Sequence, residues 1–520
     1  MEIQERPKLY YRTELTEQQK LQVSKLAKRK RALIVSKTGT GKTLVCLTSF
    51  ISLYNRNHVD NLLVLTPRNA YQYKVWESEC RKHTTIRAID LEELHNLCGR
   101  DTKRVLAKIA QYKVIYTKHS IVSKYADYIS WLRQLTRFVV VYDEIHAIRN
   151  PKTSLHRLTR FAIQNSYVLW GATATPLSKN MTDAYNIINF IRPWFLGTYE
   201  AFKRDYCKVQ EQVIGRFSNG KLKKVENIIG VLNKTAFEMK LESLVIKGSA
   251  AVPIEFHYHP YQLSQKESLT YKRLAKGIFA KKFQDVDADS WFKSVMSDSD
   301  EESYSIGKVE RHSSRFLYLQ FAADGIVQSD GKIEFREMTS KIATLLSVLN
   351  PISQKKESAI IYFDYYASLD AVEGVLKKAY PRYKILRSTG ETPLESGAVT
   401  AQSVKVNPVF ILITKSGSAS SSFGFINHAI PFHIPTTPET FIQFIGRITR
   451  QDSLFKGDIH AHILISDNVD KYKLCVVSSK AEQMESMTDE ETNIPMEFRN
   501  EIESEKDLKA LKKYLLWNTI

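Results

Sequence analysis

The segment Ser36-Lys-Thr-Gly-Thr-Gly-Lys-Thr43 follows an apolar run of strand length and precedes the helical sequence Leu44-Val-Cys-Leu47. A strand, a glycine-rich loop and a helix in this order are typical of a loop that cradles nucleotide phosphates. Gly39 and Gly41 let the backbone curl so that its N–H groups point inward, and the helix N-terminus adds a positive dipole end. Ser36 is a mild departure, because glycine or alanine is usual at the first position of this loop.

Two side chains at the end of this loop have the chemistry that a bound nucleoside triphosphate needs. Lys42 is predicted to reach the β- and γ-phosphates of ATP, and Thr43 is predicted to ligate Mg²⁺. ATP and Mg²⁺ are therefore the expected cofactors. The loop residues predicted to bind the nucleotide are Thr38, Gly39, Thr40, Gly41, Lys42 and Thr43.

A pair of acids follows a second apolar run, in the segment Val139-Val-Val-Tyr-Asp-Glu-Ile-His146. A buried strand would deliver Asp143 and Glu144 at its carboxyl end, where parallel sheets place their ligands. Asp143 is predicted to hold the Mg²⁺ ion, and Glu144 is predicted to polarise the attacking water. Together with the phosphate loop, this pair predicts hydrolysis as well as nucleotide binding.

Two arginines in Gln443-Phe-Ile-Gly-Arg-Ile-Thr-Arg450 are three residues apart on a predicted helix. Arg447 and Arg450 are therefore expected to share a face of that helix. Hydrolysis is helped by cations on the γ-phosphate, so both arginines, with Gln443, are predicted to be catalytic. An arginine supplied by a second lobe would make ATP close the cleft between lobes.

Short β-rich runs alternate with helical stretches in two regions, about 31–195 and about 341–466, which predicts an α/β fold with two parallel sheets covered by helices. Between them lies a less regular stretch with a predicted hairpin over 213–225, where Asn219-Gly220 is a type I′ turn signal. The acidic stretch 285–302 is predicted to be a mobile surface loop. The predicted strands are Ala32–Val35, Leu62–Leu65, Val114–Tyr116, Phe138–Val141, Tyr167–Trp170, Ala359–Phe363, Tyr383–Leu386, Val409–Ile413, His428–Phe432 and His460–Ile465.

The composition favours a polyanionic partner, because Lys and Arg number 75 against 56 Asp and Glu, a formal net charge of +19. No apolar run approaches the ~20 residues that a membrane span needs. The N-terminus also lacks the apolar core of a signal peptide, so a cytoplasmic location is expected and a nuclear one stays open. The five cysteines are scattered and never form CxxC, which predicts reduced thiols, with no zinc site and no disulfide framework.

Taken together, these segments resemble the motifs of helicase superfamily two and, within it, of the Swi/Snf-type translocases. GTGKT, DEIH, GATATP and QFIGRITRQ resemble motifs I, II, III and VI. The serine-rich motif V, Thr414–Phe423, departs most from the family, which usually has a glycine-rich run there. Further segments that resemble the subfamily are Leu65–Asn69 with Trp76–Glu79, Tyr116–His119, Ala147–Ser154, Asn189–Phe202, Ile360–Phe363 and Ser388–Gly390.

The resemblance implies two RecA-like parallel-sheet lobes with an irregular insertion between them and a C-terminal helix. The ATP-binding lobe would span 1–205, the insertion with its basic hairpin, acidic loop and helices 206–335, the second lobe 336–475 and the helical tail 476–520. Gln19 would read the adenine. The residues that the family motifs place on the nucleic-acid backbone are Arg68, Thr117, Lys118, Thr389, Thr414 and Lys415.

The basic hairpin suggests a wedge at a DNA fork. Arg216 and Lys221 would contact the backbone while Phe217 stacks on a splayed base; a plain surface hairpin is the alternative. The leading prediction for the whole chain is a monomeric, DNA-dependent ATPase. It would translocate on duplex, forked or branched DNA and drive unwinding, branch migration or fork remodelling in replication, recombination or repair. An RNA helicase, a duplex translocase that displaces proteins without separating strands, and an inactive nucleic-acid clamp are the alternatives.

Overall fold

The computed structural model describes most of the chain in two compact units, Met1–Ala251 with Gln483–Glu491 and Val252–Glu482 with Thr492–Ile520. The acidic stretch 285–302, the hairpin turn Asn219-Gly220 and the part of the predicted helical tail from 496 to 520 lie outside the described residues. The described residues are 6–36, 39–174, 181–216, 222–248, 253–280, 319–326, 338–392, 394, 399–415, 423–435, 437–449, 455, 458–488 and 494–495.

The first unit is built on a seven-stranded, all-parallel sheet with the order β3-β4-β2-β5-β6-β1-β9. Its strands are apolar on both faces because helices cover both sides. In β1, Leu33 and Val35 enter one core while Ala32 and Ile34 enter the other. The strands are β1 (Arg31–Val35), β2 (Asn61–Thr66), β3 (Ala88–Asp90), β4 (Val114–Lys118), β5 (Phe138–Asp143), β6 (Val168–Thr173) and β9 (Val245–Lys247).

Helices flank the strands of this unit in the βα order that parallel sheets require. The helices are α1 (Glu17–Leu26), α2 (Lys42–Asn55), α3 (Arg68–Gln72), α4 (Val75–His83), α5 (Leu91–Cys98), α6 (Thr102–Gln111), α7 (Val122–Leu135), α8 (Ser154–Ile163), α9 (Met181–Ile191), α10 (Tyr199–Tyr206) and α11 (Lys234–Leu241), with 3₁₀ turns at His119–Ile121 and Ile145–Ile148.

The second unit holds a six-stranded, all-parallel sheet with the order β10-β15-β14-β11-β13-β12. Together the two sheets confirm the predicted fold class. The elements are β10 (Glu255–Pro260), α12 (Gln265–Ala280), α13 (Ser340–Gln354), β11 (Ala359–Phe363), α14 (Tyr366–Ala379), β12 (Lys384–Ser388), α15 (Ala401–Val406), β13 (Val409–Thr414), β14 (His428–Pro431), α16 (Pro438–Ile445), β15 (His460–Ile465) and α17 (Val469–Thr488).

The stretch predicted to be an insertion, 206–335, contributes to both sheets. Its strand β9 pairs with β1, and its strand β10 pairs with β15. The stretch also forms a long antiparallel ribbon of β7 (Cys207–Arg216) and β8 (Leu222–Val231), which extends the hairpin predicted over 213–225. The structural boundary between the two units therefore falls at 251/252, inside the predicted insertion.

Two further expectations can be compared with the coordinates. All five cysteines are free, and four of them are buried, as expected for reduced structural thiols. Across the part of the chain that the structure describes, no helix combines the length and apolarity that crossing a membrane requires.

Candidate active site

The phosphate loop turns sharply between β1 and α2. Gly39 and Gly41 adopt positive φ angles of 79° and 82°, a region that glycine reaches without steric cost. The loop also leaves no room for a side chain at Gly41, because a Cβ there would meet Nε2 of Gln19 at 2.6 Å. Both glycines are thus required by conformation, and Gly41 is also required by close packing.

Lys42 and Thr43 open the 14-residue helix α2, so both lie at its positive end. The Lys42 ammonium donates a hydrogen bond to the carbonyl oxygen of Ser36 at 2.8 Å. It therefore points back over the loop, where a phosphate would compete for it. Thr38, also predicted to bind the nucleotide, lies outside the described residues.

Gln19 is buried against the loop. Its side-chain amide donates to the carbonyl of Thr40 at 3.1 Å, and its Oε1 accepts from the backbone N–H of Thr16 at 3.0 Å. Thr16 also receives a return bond as the N-cap of α1. This capping box fixes Gln19 beside the nucleotide loop; its predicted contact with adenine remains a prediction.

Strand β9 packs directly against the first residue of the loop. The N–H of Gly248 donates to Val35 at 2.7 Å, and Gln22 donates to Oγ of Ser36 at 3.3 Å and to the carbonyl of Lys247 at 3.1 Å. A Cβ at Gly248 would lie 1.7 Å from Oγ of Ser36. Ser36, the departure noted in the sequence, is thus held by neighbours that fit it closely.

The two acids lie at the carboxyl end of β5, as predicted. Oδ2 of Asp143 accepts hydrogen bonds from Oγ1 of Thr66 at 2.9 Å and from Nε1 of Trp76 at 3.3 Å. Glu144 has a positive φ of 49°, which turns its side chain away from the strand direction. Oε2 of Glu144 accepts from the N–H of Ala174 at 3.4 Å and lies 3.3 Å from Nδ1 of His146.

Burial and the different neighbours of these two carboxyl groups move their pKa values apart. Burial raises the pKa of Asp143, and the charge of Glu144 adds to that increase. Burial also disfavours the charged form of Glu144, but the hydrogen bond and charge of His146, with the charge of Lys42, lower its pKa overall. A buried carboxylate beside a like charge binds a divalent cation readily. This donor set therefore fits Mg²⁺ at Asp143.

Three residues that the sequence analysis did not single out support Asp143. Thr66 and Trp76 hold its carboxylate, and His119 donates through Nε2 to its backbone carbonyl at 2.9 Å. Burial lowers the pKa of His119 to about 4, so it is neutral at pH 7. Its ring stacks on Tyr142 with centroids 4.4 Å apart. Thr66 lies in the segment Leu65–Asn69, Trp76 begins Trp76–Glu79 and His119 ends Tyr116–His119. The resemblance of these segments to the subfamily was the available signal.

The predicted nucleic-acid contacts of the first unit divide into exposed and buried groups. Arg68 is exposed at the start of α3, and Lys118 is partly exposed, 3.8 Å from Glu92. Thr117, in contrast, is fully buried in β4, because helices cover both faces of this sheet. The predicted DNA contact of Thr117 remains a prediction, and in this structure its side chain does not reach the surface.

In the second unit, Lys415 is exposed just after β13, whereas Thr389 and Thr414 are buried. The hydroxyl of Thr389 forms a turn with Thr392, whose N–H donates to it at 3.0 Å. The predicted DNA contacts of Thr389 and Thr414 remain predictions, and in this structure both side chains are covered. In the basic hairpin, the backbone of Arg216 ends β7, while Phe217 and Lys221 lie outside the described residues.

The predicted arginine helix ends earlier than expected. Helix α16 carries the half-buried Gln443 and ends at Ile445, with Gly446 as its C-cap. Arg447 follows in a turn, and its carbonyl accepts from the N–H of Phe423 at 2.9 Å. The expected shared helix face with Arg450 is thus wrong for Arg447, because the helix has already ended; Arg450 lies outside the described residues.

Comparison with known families adds a second line of evidence. Residues 18–313 match the SNF2-related domain, and residues 340–452 match the helicase conserved C-terminal domain. The chain belongs to the SNF2-related family. This membership confirms the resemblance to Swi/Snf-type enzymes of helicase superfamily two and the predicted class, a DNA-dependent ATPase and helicase. Members of this SNF2-related family use ATP.

Individual relatives of this SNF2-related chain are distant. An uncharacterized ATP-dependent helicase of Bacillus subtilis, YqhH, is 19% identical, with 88% of this chain and 76% of the relative covered. The mouse DNA repair and recombination protein RAD54B is 21% identical over 85% of this chain, which spans only 52% of that protein. The SWI2/SNF2 ATPase core of Sulfolobus solfataricus with double-stranded DNA is 16% identical, with 91% and 93% coverage and a TM-score of 0.38.

Proposed function

We propose that this SNF2-type ATPase is a DNA translocase that moves on duplex or branched DNA and drives strand separation, branch migration or fork remodelling. RAD54B, a DNA repair and recombination protein, is among its relatives, which supports DNA as the substrate. The formal net charge of +19 also favours a polyanionic partner.

One observation carries this proposal: the two loops predicted to hold DNA also hold Asp143. Thr66, which donates to the Asp143 carboxylate, is two residues before Arg68. His119, which donates to the Asp143 carbonyl, directly follows Lys118. A shift of either loop along a DNA backbone would therefore change a hydrogen bond that holds Asp143, at its carboxylate for Thr66 or at its backbone carbonyl for His119.

The topology brings these two loops together. Strands β2 and β4 are neighbours, with Thr66 paired to Lys118 in register, so the exposed Arg68 and the partly exposed Lys118 leave the same edge of the sheet. Lysine and arginine at such positions contact phosphates and fix the register of a strand without reading bases. This fits a motor that must move along any sequence.

The residues around Asp143 also define the chemistry of hydrolysis. Mg²⁺, when bound, neutralises charge on the nucleotide phosphates. Asp143 would hold that ion with Thr43, and Lys42 would leave the Ser36 carbonyl to reach the β- and γ-phosphates. Glu144, ionised because its pKa is lowered beside His146, would accept a proton from the attacking water.

The β7–β8 ribbon suits the proposed wedge because its base is anchored. Ile228 and Val231 pack on the core of the first unit, and Lys203 donates to Glu226 at 2.8 Å. Deletion of 217–222 should abolish strand separation on forked DNA while DNA-stimulated ATP hydrolysis continues. Unchanged unwinding by the deletion variant would show that the ribbon is not a wedge.

The proposal is tested by ATP hydrolysis with duplex, single-stranded, forked and four-way DNA and with RNA, for the wild type and Lys42→Ala. DNA should stimulate the wild type, most with duplex or branched forms, and Lys42→Ala should be inactive. Stimulation by RNA alone would replace DNA with RNA as the substrate. Equal activity of Lys42→Ala would remove the phosphate loop from the mechanism.

A further inference from the structure

Five histidines gather at one edge of the second unit's sheet. Residues 255, 257 and 259 alternate along β10 and therefore share one face. The register pairs Glu255 with His460 and His257 with His462, and it pairs His428 of β14 with His460. The histidines on this face are His257, His259, His428, His460 and His462.

Three of these histidines form a linear hydrogen-bonded chain that begins at Glu357. His428 contacts Oε2 of Glu357 through Nε2 at 2.9 Å, and its Nδ1 lies 3.0 Å from Nε2 of His462. Nδ1 of His462 lies 3.1 Å from Nε2 of His259. A neutral imidazole has one N–H and one lone pair, and a carboxylate can only accept a hydrogen bond. His428 therefore donates to Glu357, and this fixes the direction of the other hydrogen bonds in the chain. Both ring nitrogens of His428 and of His462 are used by these bonds.

The other two histidines, with Glu255, form a different arrangement nearer to solvent. Nε2 of His257 and Nδ1 of His460 are 2.9 Å apart, and Oε2 of Glu255 is 3.8 Å from the first nitrogen and 3.5 Å from the second. These three atoms form a triangle whose equidistant point lies about 2.0 Å from each, which is the distance of nitrogen and oxygen ligands from zinc.

A neighbouring carboxylate sets the proton of His460. Oδ1 of Asp458 lies 2.7 Å from Nε2 of His460, so that nitrogen carries the proton and donates it. The lone pair of His460 is therefore on Nδ1, which faces His257 and Glu255. A carboxylate that orients a histidine in this way is typical of metal ligands.

We propose that Glu255, His257 and His460 bind one divalent transition-metal ion of the zinc class, with Asp458 as the positioning residue for His460. Two imidazoles and a carboxylate favour such an ion over Mg²⁺. Glu255 and Asp458 are 68% and 66% exposed in their side chains, so an ion can enter from solvent and keep a water as fourth ligand.

Binding would tie β10 to β15. These are the first and last strands of the second unit's sheet along the chain, and β10 lies at the sheet edge. Ligands from two strands hold together only in the folded state, so the binding free energy would add to the stability of that strand pair. The ion would thus fasten the strand that begins the second unit.

The test uses full-length protein purified without a histidine tag, in excess Mg²⁺ to occupy the nucleotide site. Co²⁺ is titrated and followed by its visible absorption, and Zn²⁺ is then added as competitor. The wild type should bind one equivalent more than His257→Ala/His460→Ala, with a raised thermal midpoint. Asp458→Asn should weaken that binding about 10- to 100-fold, which a purely structural role of Asp458 would not do.

Two controls separate this site from other histidines. His58→Ala removes an exposed histidine of the first unit and should leave metal binding unchanged. His259→Ala breaks the three-histidine chain and should also keep the equivalent. Equal Co²⁺ binding by the wild type and the double variant would overturn the proposal, as would loss of binding in His259→Ala with retention in His257→Ala.

Discussion

The two units bury charge in opposite ways. In the first unit, Asp143 is held by the neutral donors Thr66 and Trp76, and burial beside Glu144 raises its pKa. In the second, Asp324 lies 3.0 Å from the Lys341 ammonium and 2.7 Å from His433. Burial opposes ionisation there too, but the charge of Lys341 and the hydrogen bonds from Lys341 and His433 lower the Asp324 pKa.

In this second cluster the buried charges of Asp324, Lys341 and Asp470 pair with one another. The Lys341 ammonium also lies 2.7 Å from Asp470, and both carboxylates receive further bonds, from Ser368 to Asp324 at 2.8 Å and from Tyr261 to Asp470 at 2.6 Å. The difference teaches that a buried carboxylate held by neutral donors is suited to a ligand, whereas one held by cations is suited to holding elements of the fold together.

The largest expected effect concerns the second cluster. Lys341→Met leaves two buried carboxylates without their central cation, so the unfolding free energy should fall by about 3–5 kcal/mol. Urea unfolding measures the loss, and hydrogen exchange in β11 and β13 locates it in the second unit. As a control, Lys20→Met breaks an exposed pair with Glu17 and should leave the unfolding free energy nearly unchanged. Similar losses for both variants would contradict the contrast.

In the first unit, a substitution in the acidic pair should change the rate of ATP hydrolysis and not the stability of the fold. Glu144→Gln removes the predicted general base, so kcat for ATP hydrolysis should fall about 100- to 10,000-fold. The melting temperature should change little, because the lost attraction of Glu144 to His146 and Lys42 and the lost repulsion from Asp143 oppose each other. A variant that unfolds at lower temperature, or one that keeps its kcat, would show that Glu144 is a structural residue.

A smaller effect is expected from the link between DNA and Asp143. Thr66→Val keeps the shape of the side chain but removes the hydrogen bond to the carboxylate, a bond worth about 1.5–3 kcal/mol. The ratio of DNA-stimulated to basal ATP hydrolysis should fall about tenfold or more, with DNA affinity retained. As a control, Thr344→Val should keep that ratio, because the Thr344 hydroxyl donates a hydrogen bond to Ser340 within its own helix.

The smallest effect is the pH response of the second cluster near neutrality. The lowered pKa of Asp324 contributes stability above its unfolded value of about 3.9, which is lost as pH falls below that value. For Lys341 burial opposes ionisation, but Asp324 and Asp470 raise its pKa, so its contribution is lost only above about 10.4.

Between about pH 5 and 9 the contribution of this cluster should therefore be constant. Urea unfolding at pH 3, 5, 7 and 9 checks this. In Lys341→Met the difference from the wild type should shrink at pH 3, where the unfolded carboxylates are protonated. A difference that is the same at pH 3 and pH 7 would show that the charges of the cluster do not stabilise the unit.

Much of the fold could be predicted because parallel strands buried on both faces are continuous apolar runs. Ala359–Phe363 and His460–Ile465 were predicted with their observed bounds. The strands β3, β9 and β10 were missed since they are short or polar; β10 reads Glu-Phe-His-Tyr-His-Pro. Its partner β15 lies two hundred residues away, so its pairing has no local signal.

The site divides in the same way. Lys42, Asp143 and Glu144 have local sequence signatures, and the structure places them where the motifs predicted. The supports of Asp143 come from distant segments, so Trp76 and His119 acquire their roles only through tertiary contacts. Thr117, Thr389 and Thr414 are buried, which the motifs could not indicate, because a motif identifies a segment but not how far each of its side chains lies from solvent; their DNA contacts remain predictions. The proposed metal ligands of β10 and β15 were likewise missed, because the sequence was searched only for the spacing of cysteines.

The close contact between Gly248 and Ser36 has a consequence for genetics. A methyl group at 248 has no space beside the phosphate loop, where a Cβ would lie 1.7 Å from Oγ of Ser36. Gly248→Ala would displace the loop without touching any ATP-contacting side chain. We therefore expect Gly248→Ala to be a temperature-sensitive allele, which supports growth at low temperature but not at higher temperature, where the strained loop becomes disordered.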